Sequence, residues 1–275
     1  MTMFPKRFAI AAVASGMVVA GGGLQAQSTQ LRTLSTENDA LAWQSVGRLD
    51  VGGSGFCTGT LIAPDLVLTA AHCVYRNGAL VEASDMTFRA GLTNGKAAAS
   101  RQISQIEAHN GYNPDRSFGL ENIQHDIALV RLAEPIPTSE LDPFAVFSGI
   151  LPNGPVSVVS YGQGREEVLS RQNSCEVLGR QNRLFAMDCD VTFGSSGAPV
   201  FTHLNGRGQI ASVISGGGAY GDKLVAFGMS LHPLITELKR QMRVNKAQHQ
   251  ATVRRLGVGS NRESTGAKFV PAKGS

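Results

Sequence analysis

The chain has 275 residues, 42% of them hydrophobic and 17% charged, with 32 glycines and a formal charge of +4. That length and apolar content suffice to bury the core of one large domain or two small ones, and they exclude a disordered or collagen-like chain. The positive charge does not by itself imply nucleic-acid binding, because it is unevenly placed: residues 239–275 hold nine Lys or Arg against Glu263, whereas residues 27–238 hold 14 bases and 20 acids.

At the start, Lys6 and Arg7 precede an apolar run from Phe8 to Ala20, and small residues follow up to Ala26. This order reads as a secretory signal over 1–26, and the run is shorter than the roughly 20 residues of a membrane-spanning helix. Residues 27–42 are polar and aperiodic and read as a pro-segment or flexible start. From Trp43 onward, short apolar runs are broken by Gly, Pro, Asn and Asp; Val46–Leu49, Leu66–Ala70, Ile127–Leu132, Val156–Tyr161 and Ile210–Ile214 are examples. Runs of this length with turn residues between them predict an all-β sandwich or barrel. The proline-rich stretch Glu134–Pro155 reads as the connection between two halves, 43–140 and 141–242. Leu231, Leu234, Ile235, Leu238 and Met242 recur at helical spacing and predict a packing helix that closes the second half. Residues 243–275 read as a basic, disordered tail, able at most to make weak contact with an anionic surface.

Cys57, Cys73, Cys175 and Cys189 lie in the exported part. An even count in an exported chain favours disulfides, and the spacing favours Cys57–Cys73 and Cys175–Cys189. No Cys-x2-Cys or His-x3-His pattern suggests a structural metal.

Three segments carry candidate chemistry. In CTGTLIAPDLVLTAAHCV, His72 follows a strand beside a cysteine; in HDIALVRL, Asp126 opens an apolar run where a desolvated carboxylate needs a donor or cation. In FGSSGAPVF, two glycines flank Ser195 and Ser196, and Gly194 permits successive N–H groups to face one way, as an oxyanion site requires. Alone, each has an ordinary structural explanation: a satisfied histidine, a strand-start aspartate, a Gly-Ser turn. Together they supply what a serine nucleophile needs, an imidazole to take its proton and a carboxylate to orient that imidazole, in the chain order His, Asp, Ser.

With TAAHC, HDIAL and GSSGAP in that order, the chain resembles the chymotrypsin-like (trypsin-like) serine endopeptidases over most of residues 43–242, and in character it looks closest to bacterial secreted members. The resemblance implies two packed six-stranded antiparallel β-barrels with a C-terminal helix and a cleft between them. It implies His72 as general base and acid, Asp126 as its orienting partner, Ser196 as nucleophile, the N–H groups of Gly194 and Ser196 as the oxyanion hole, and Ser215 as support for Asp126. It also implies a monomer, secreted or periplasmic, that cleaves protein or peptide substrates without cofactor, metal or nucleic acid. A second reading keeps the fold as a catalytically silent binding protein, whose usual sign, a lost triad member, is absent.

The sequence departs from the digestive members in having Ser195 where they place an aspartate that pairs with a new N-terminal ammonium. Asp190, six residues before Ser196, matches the position of trypsin's pocket aspartate and would favour a basic P1 side chain. Val191, Phe193 and Gly217 would give an apolar pocket instead. Ile214 stands where glutamyl endopeptidases use a histidine. The remaining histidines, 109, 125, 203, 232 and 249, read as surface or structural.

Overall fold

The computed structural model describes residues 29–258 except 54, 150–153 and 204–205, with backbone only for 246–258. The expected signal segment 1–26 and the end of the basic tail, 259–275, lie outside the described residues. Among the described residues no helix is long and apolar enough to cross a membrane.

In the first half, six strands hydrogen-bond in the spatial order Val46–Val51, Gly55–Ala63, Leu66–Thr69, Ala128–Leu132, Ala99–Ala108 and Met86–Ala90, and the last pairs with the first to close a barrel. Alternation in Met86–Ala90 turns Met86, Phe88 and Ala90 inward, as a period of two demands. Gly47 and Gly59 are cross-strand partners, and the missing side chain at Gly47 makes room for the Phe88 ring, which would lie 2.4 Å from a Cβ there.

The second half forms an eight-stranded sheet rather than six strands: Arg32–Thr33, Arg165–Cys175, Val156–Gly162, Pro199–Thr202, Gln209–Tyr220, Lys223–Met229, Leu184–Met187 and Val177–Gln181. The two additional strands have simple origins. Arg32–Thr33 adds at one edge, and Glu176 divides what would be one long strand into Arg165–Cys175 and Val177–Gln181. The chain therefore runs continuously from near one end of the sheet to the other, and the Cys175–Cys189 disulfide, with a Cα separation of 5.1 Å, holds that corner.

Residues 29–42 are not a free start. The Thr29 N–H donates to Ser174 O at 2.8 Å, Arg32–Thr33 pairs with Ser170 and Arg171, and Thr36 caps the helix Glu37–Leu41 by accepting from Asp39 N–H. Leu34 and Ala40 anchor this segment, buried in the apolar cluster between the halves. That cluster joins Leu66, Leu68 and Leu129 of the first half to Tyr161, Phe201 and Val213 of the second; Leu231, just before the final helix, and Leu234, Ile235, Leu238 and Met242 on one face of it, pack into the same cluster. The helix spans His232–Val258, well beyond the expected boundary at 242. Asn245 donates from Nδ2 to both oxygens of the buried Glu107 carboxylate, and Gln105 Nε2 donates to Met242 O, so contacts with the first barrel continue past the apolar stripe.

Candidate active site

His72 lies in the short 3-10 turn Ala71–Val74 after the strand Leu66–Thr69, and Cys73 ties that turn to Cys57 on the neighbouring strand. Asp126 precedes the strand Ala128–Leu132, which pairs with Leu66–Thr69, so the barrel register brings the two residues together. The Asp126 carboxylate accepts from His72 backbone N–H at 2.8 Å and from Nδ1 at 2.7 Å, and Ser215 Oγ–H donates to its Oδ2. Donation from Nδ1 leaves the Nε2 lone pair available to take a proton. Asp126 is buried, which strengthens its field on the ring. Burial depresses the His72 imidazolium, but the charge of Asp126 and its hydrogen bond together overcome this and place the group above the ordinary histidine range.

Ser196 occupies a turn clamped from both halves. Thr58 of the first barrel donates its N–H to Ser196 O at 2.8 Å and its Oγ to Gly194 O at 2.8 Å, and Gly197 N–H donates to Ile214 O at 2.7 Å. Gly194 has φ +91°, and a Cβ there would stand 2.3 Å from the Phe56 ring, so both conformation and space require glycine. The N–H groups of Gly194 and Ser196 engage no acceptor among the described residues.

His72, Asp126, Ser196 and Ser215 line one cleft of about 630 Å³ between the halves, together with Val191, Thr192, Phe193, Ile214, Gly216 and Gly217. Three of the four sequence-expected pocket residues, Val191, Phe193 and Gly217, are therefore at the cleft. Asp190 is not among the lining residues: it is exposed, and its backbone N–H donates to Gln172 Oε1 at 2.7 Å. In the loop that follows the strand Leu184–Met187, Val191 and not Asp190 lines the cleft. The sequence reading missed Tyr112, Arg116, Phe118 and Ile123, which complete the opposite wall. Phe118 is 55% exposed and rests where a Cβ on Gly216 would approach to 2.8 Å, so the bare Gly216 explains its seat. The sulfurs of Cys57 and Cys73 lie near His72 as a metal-like cluster, but both are committed to their disulfide.

A closed barrel and a second antiparallel sheet thus border one cleft that His72, Asp126 and Ser196 line. The sequence model of the Trypsin family matches residues 33–228, and the chain belongs to that family. It is 33% identical over 115 residues to Serine protease SP24D of Anopheles gambiae, covering 42% of this chain and 39% of that protein. It is 34% identical over 87 residues to a trypsin of Sarcophaga bullata, covering 31% and 30%, and 28% identical over 195 residues to coagulation factor XII of Cavia porcellus, covering 67% and 30%. The matched stretch thus spans two fifths or less of these relatives' length. Among solved structures, a Glu endopeptidase in complex with MPD superposes with a TM-score of 0.65 at 20% identity, covering 77% of this chain and 95% of that one. The protease Anisep of Arthrobacter nicotinovorans gives 0.59 at 16% identity, covering 76% and 97%.

Proposed function

We propose that this protein is a secreted serine endopeptidase. Ser196 Oγ attacks the scissile carbonyl carbon while His72 Nε2 takes its proton. The tetrahedral oxyanion is received by the N–H groups of Gly194 and Ser196, and the imidazolium returns its proton to the leaving amine to release an acyl-enzyme. Water, deprotonated by His72, then hydrolyses that ester. Asp126 holds the ring tautomer, and Ser215 holds Asp126. The observation carrying this reading is the convergence of the doubly bonded His72–Asp126 pair and Ser196 on one cleft, with two unengaged amides beside the serine.

An apolar P1 side chain of medium size suits the cleft best, because Val191, Ile214 and Gly217 line it and the Asp190 carboxylate does not. Two disulfides suit an oxidising compartment outside the cytosol. The deciding experiment treats the exported protein with a fluorophosphonate probe and a casein or peptide substrate. Labelling at Ser196 and a loss of turnover on the order of 10⁶-fold in Ser196→Ala are expected. Intact protein that neither labels nor cleaves a peptide library would instead support the silent binding protein.

A further inference from the structure

Arg165 begins the strand Arg165–Cys175, yet its side chain reaches the nucleophile turn. Its guanidinium donates to Ser160 O at 2.5 Å, to Ser160 Oγ at 3.0 Å and to Ser195 Oγ at 3.0 Å. Gly162 leaves the space for it, since a Cβ there would lie 2.7 Å from Arg165 Nη2 and 2.7 Å from Thr192 Cγ2. Ser195 is fully buried, and its hydroxyl also accepts from Thr192 N–H at 3.2 Å and donates to Tyr161 O at 3.1 Å. One hydroxyl thus joins the turn 192–195 to the strand Val156–Gly162, with a cation as its strongest donor.

Gly194 and Ser196, whose N–H groups remain unengaged, are the two chain neighbours of Ser195. Any shift of Ser195 therefore moves both amides. Resting on the endopeptidase reading above, we propose that Arg165 is a positioning residue that holds the oxyanion-binding turn through Ser195, so that an internal cation completes this turn without a chain terminus. Residues 29–33 are occupied elsewhere, since Thr29 and Arg32–Thr33 bond along the outer edge of Arg165–Cys175. Burial lowers the Arg165 guanidinium to about 10, opposed by the charges of Asp190 and Glu166, so it remains charged at neutral pH.

The test compares exported wild-type, Arg165→Lys, Arg165→Met and Ser195→Ala proteins on a fluorogenic peptide with an apolar P1 residue. A peptide boronate with the same side chain serves as a probe, because it forms a tetrahedral adduct on the serine. Arg165→Met is expected to lower kcat roughly 10- to 100-fold with KM changed less than about threefold, and to weaken the boronate in parallel, because the interaction lost is made only in the tetrahedral state. Arg165→Lys regains part of both, and Ser195→Ala loses both with the cation still present. A tag retained on the N-terminus leaves kcat unchanged. Folded Arg165→Met with kcat within about twofold of wild type and undiminished boronate affinity overturns the assignment. So does activity that appears only when the tag is removed. If Arg165→Met does not accumulate in folded form, Ser195→Ala decides by the same two readouts. Wild-type protein that neither labels nor cleaves indicts the endopeptidase reading itself.

Discussion

His72 meets Asp126 twice, through its backbone N–H at 2.8 Å and its Nδ1 at 2.7 Å. The backbone bond fixes where the residue sits, and the ring bond fixes which nitrogen carries the proton. A carboxylate that only neutralised charge would not need both. The pair has consequences for pH dependence that can be measured.

The proton on His72 must leave before the ring can act as base, so kcat/KM rises with pH through the His72 pKa. Burial alone would lower that pKa, and Asp126 more than offsets it, so the acid limb is expected above the ordinary histidine midpoint of about 6.5. Asp126→Asn removes the charge that raises it. The limb then shifts to lower pH, and the plateau falls on the order of 10⁴-fold through the wrong tautomer. A pH–rate profile of both proteins reads the two effects separately; an unshifted limb in Asp126→Asn contradicts the electrostatic account.

Thr58 links the halves at the nucleophile turn, its hydroxyl donating to Gly194 O and accepting from Tyr161 N–H at 3.1 Å. Thr58→Val keeps the shape and strands both buried groups. Chemical denaturation should show a loss of about 1–3 kcal/mol, with kcat reduced more than KM is raised. A stability change with kinetics untouched would mean that the turn keeps its place without this bond.

Gly217 has ordinary backbone conformation, and a Cβ there would meet its nearest atoms, Val225 O at 3.6 Å and Val191 Cγ2 at 3.8 Å, in ordinary van der Waals contact. Gly217→Ala is expected to fold normally and to narrow the cleft. Peptide-library profiling should then show large apolar P1 residues losing roughly 10-fold in kcat/KM relative to small ones. Asp190→Ser leaves P1 preference unchanged, since that carboxylate lies outside the cleft lining. Loss of Arg or Lys cleavage in Asp190→Ser would return the residue to the pocket base.

Glu107 is buried against the final helix, and burial raises its carboxyl pKa while the hydrogen bond from Asn245 lowers it. A raised folded-state pKa means the carboxyl stabilises the fold best when protonated, an advantage that is full below the unfolded value and is lost as pH rises through the raised folded value. Asn245→Ala removes the opposing donor. The expected loss is about 1–3 kcal/mol at neutral pH, shrinking as pH falls and Glu107 takes a proton. Thermal unfolding at neutral and at acidic pH checks it, and an equal loss under both conditions contradicts the charge dependence.

What the sequence determined by itself was local and periodic. Alternating apolar runs, turn residues, paired cysteines and the ordered segments around His72, Asp126 and Ser196 each depend on near neighbours, so the β class, the disulfides and the candidate triad were legible before any coordinates. What needed the tertiary structure depended on partners far away in the chain. Asp190 and Val191 are adjacent, and only the path of the loop after Leu184–Met187 decided which of them lines the cleft. The 29–42 segment lacked periodicity because its order comes from an edge strand supplied by Arg165–Cys175 and from burial of Leu34 and Ala40 between the halves. The final helix outran its apolar stripe because polar partners, Glu107 for Asn245 and Gln105 for Met242 O, await it on the first barrel. Arg165 had no motif at all, because its role arises only where the fold brings it within 3.0 Å of Ser195, thirty residues away.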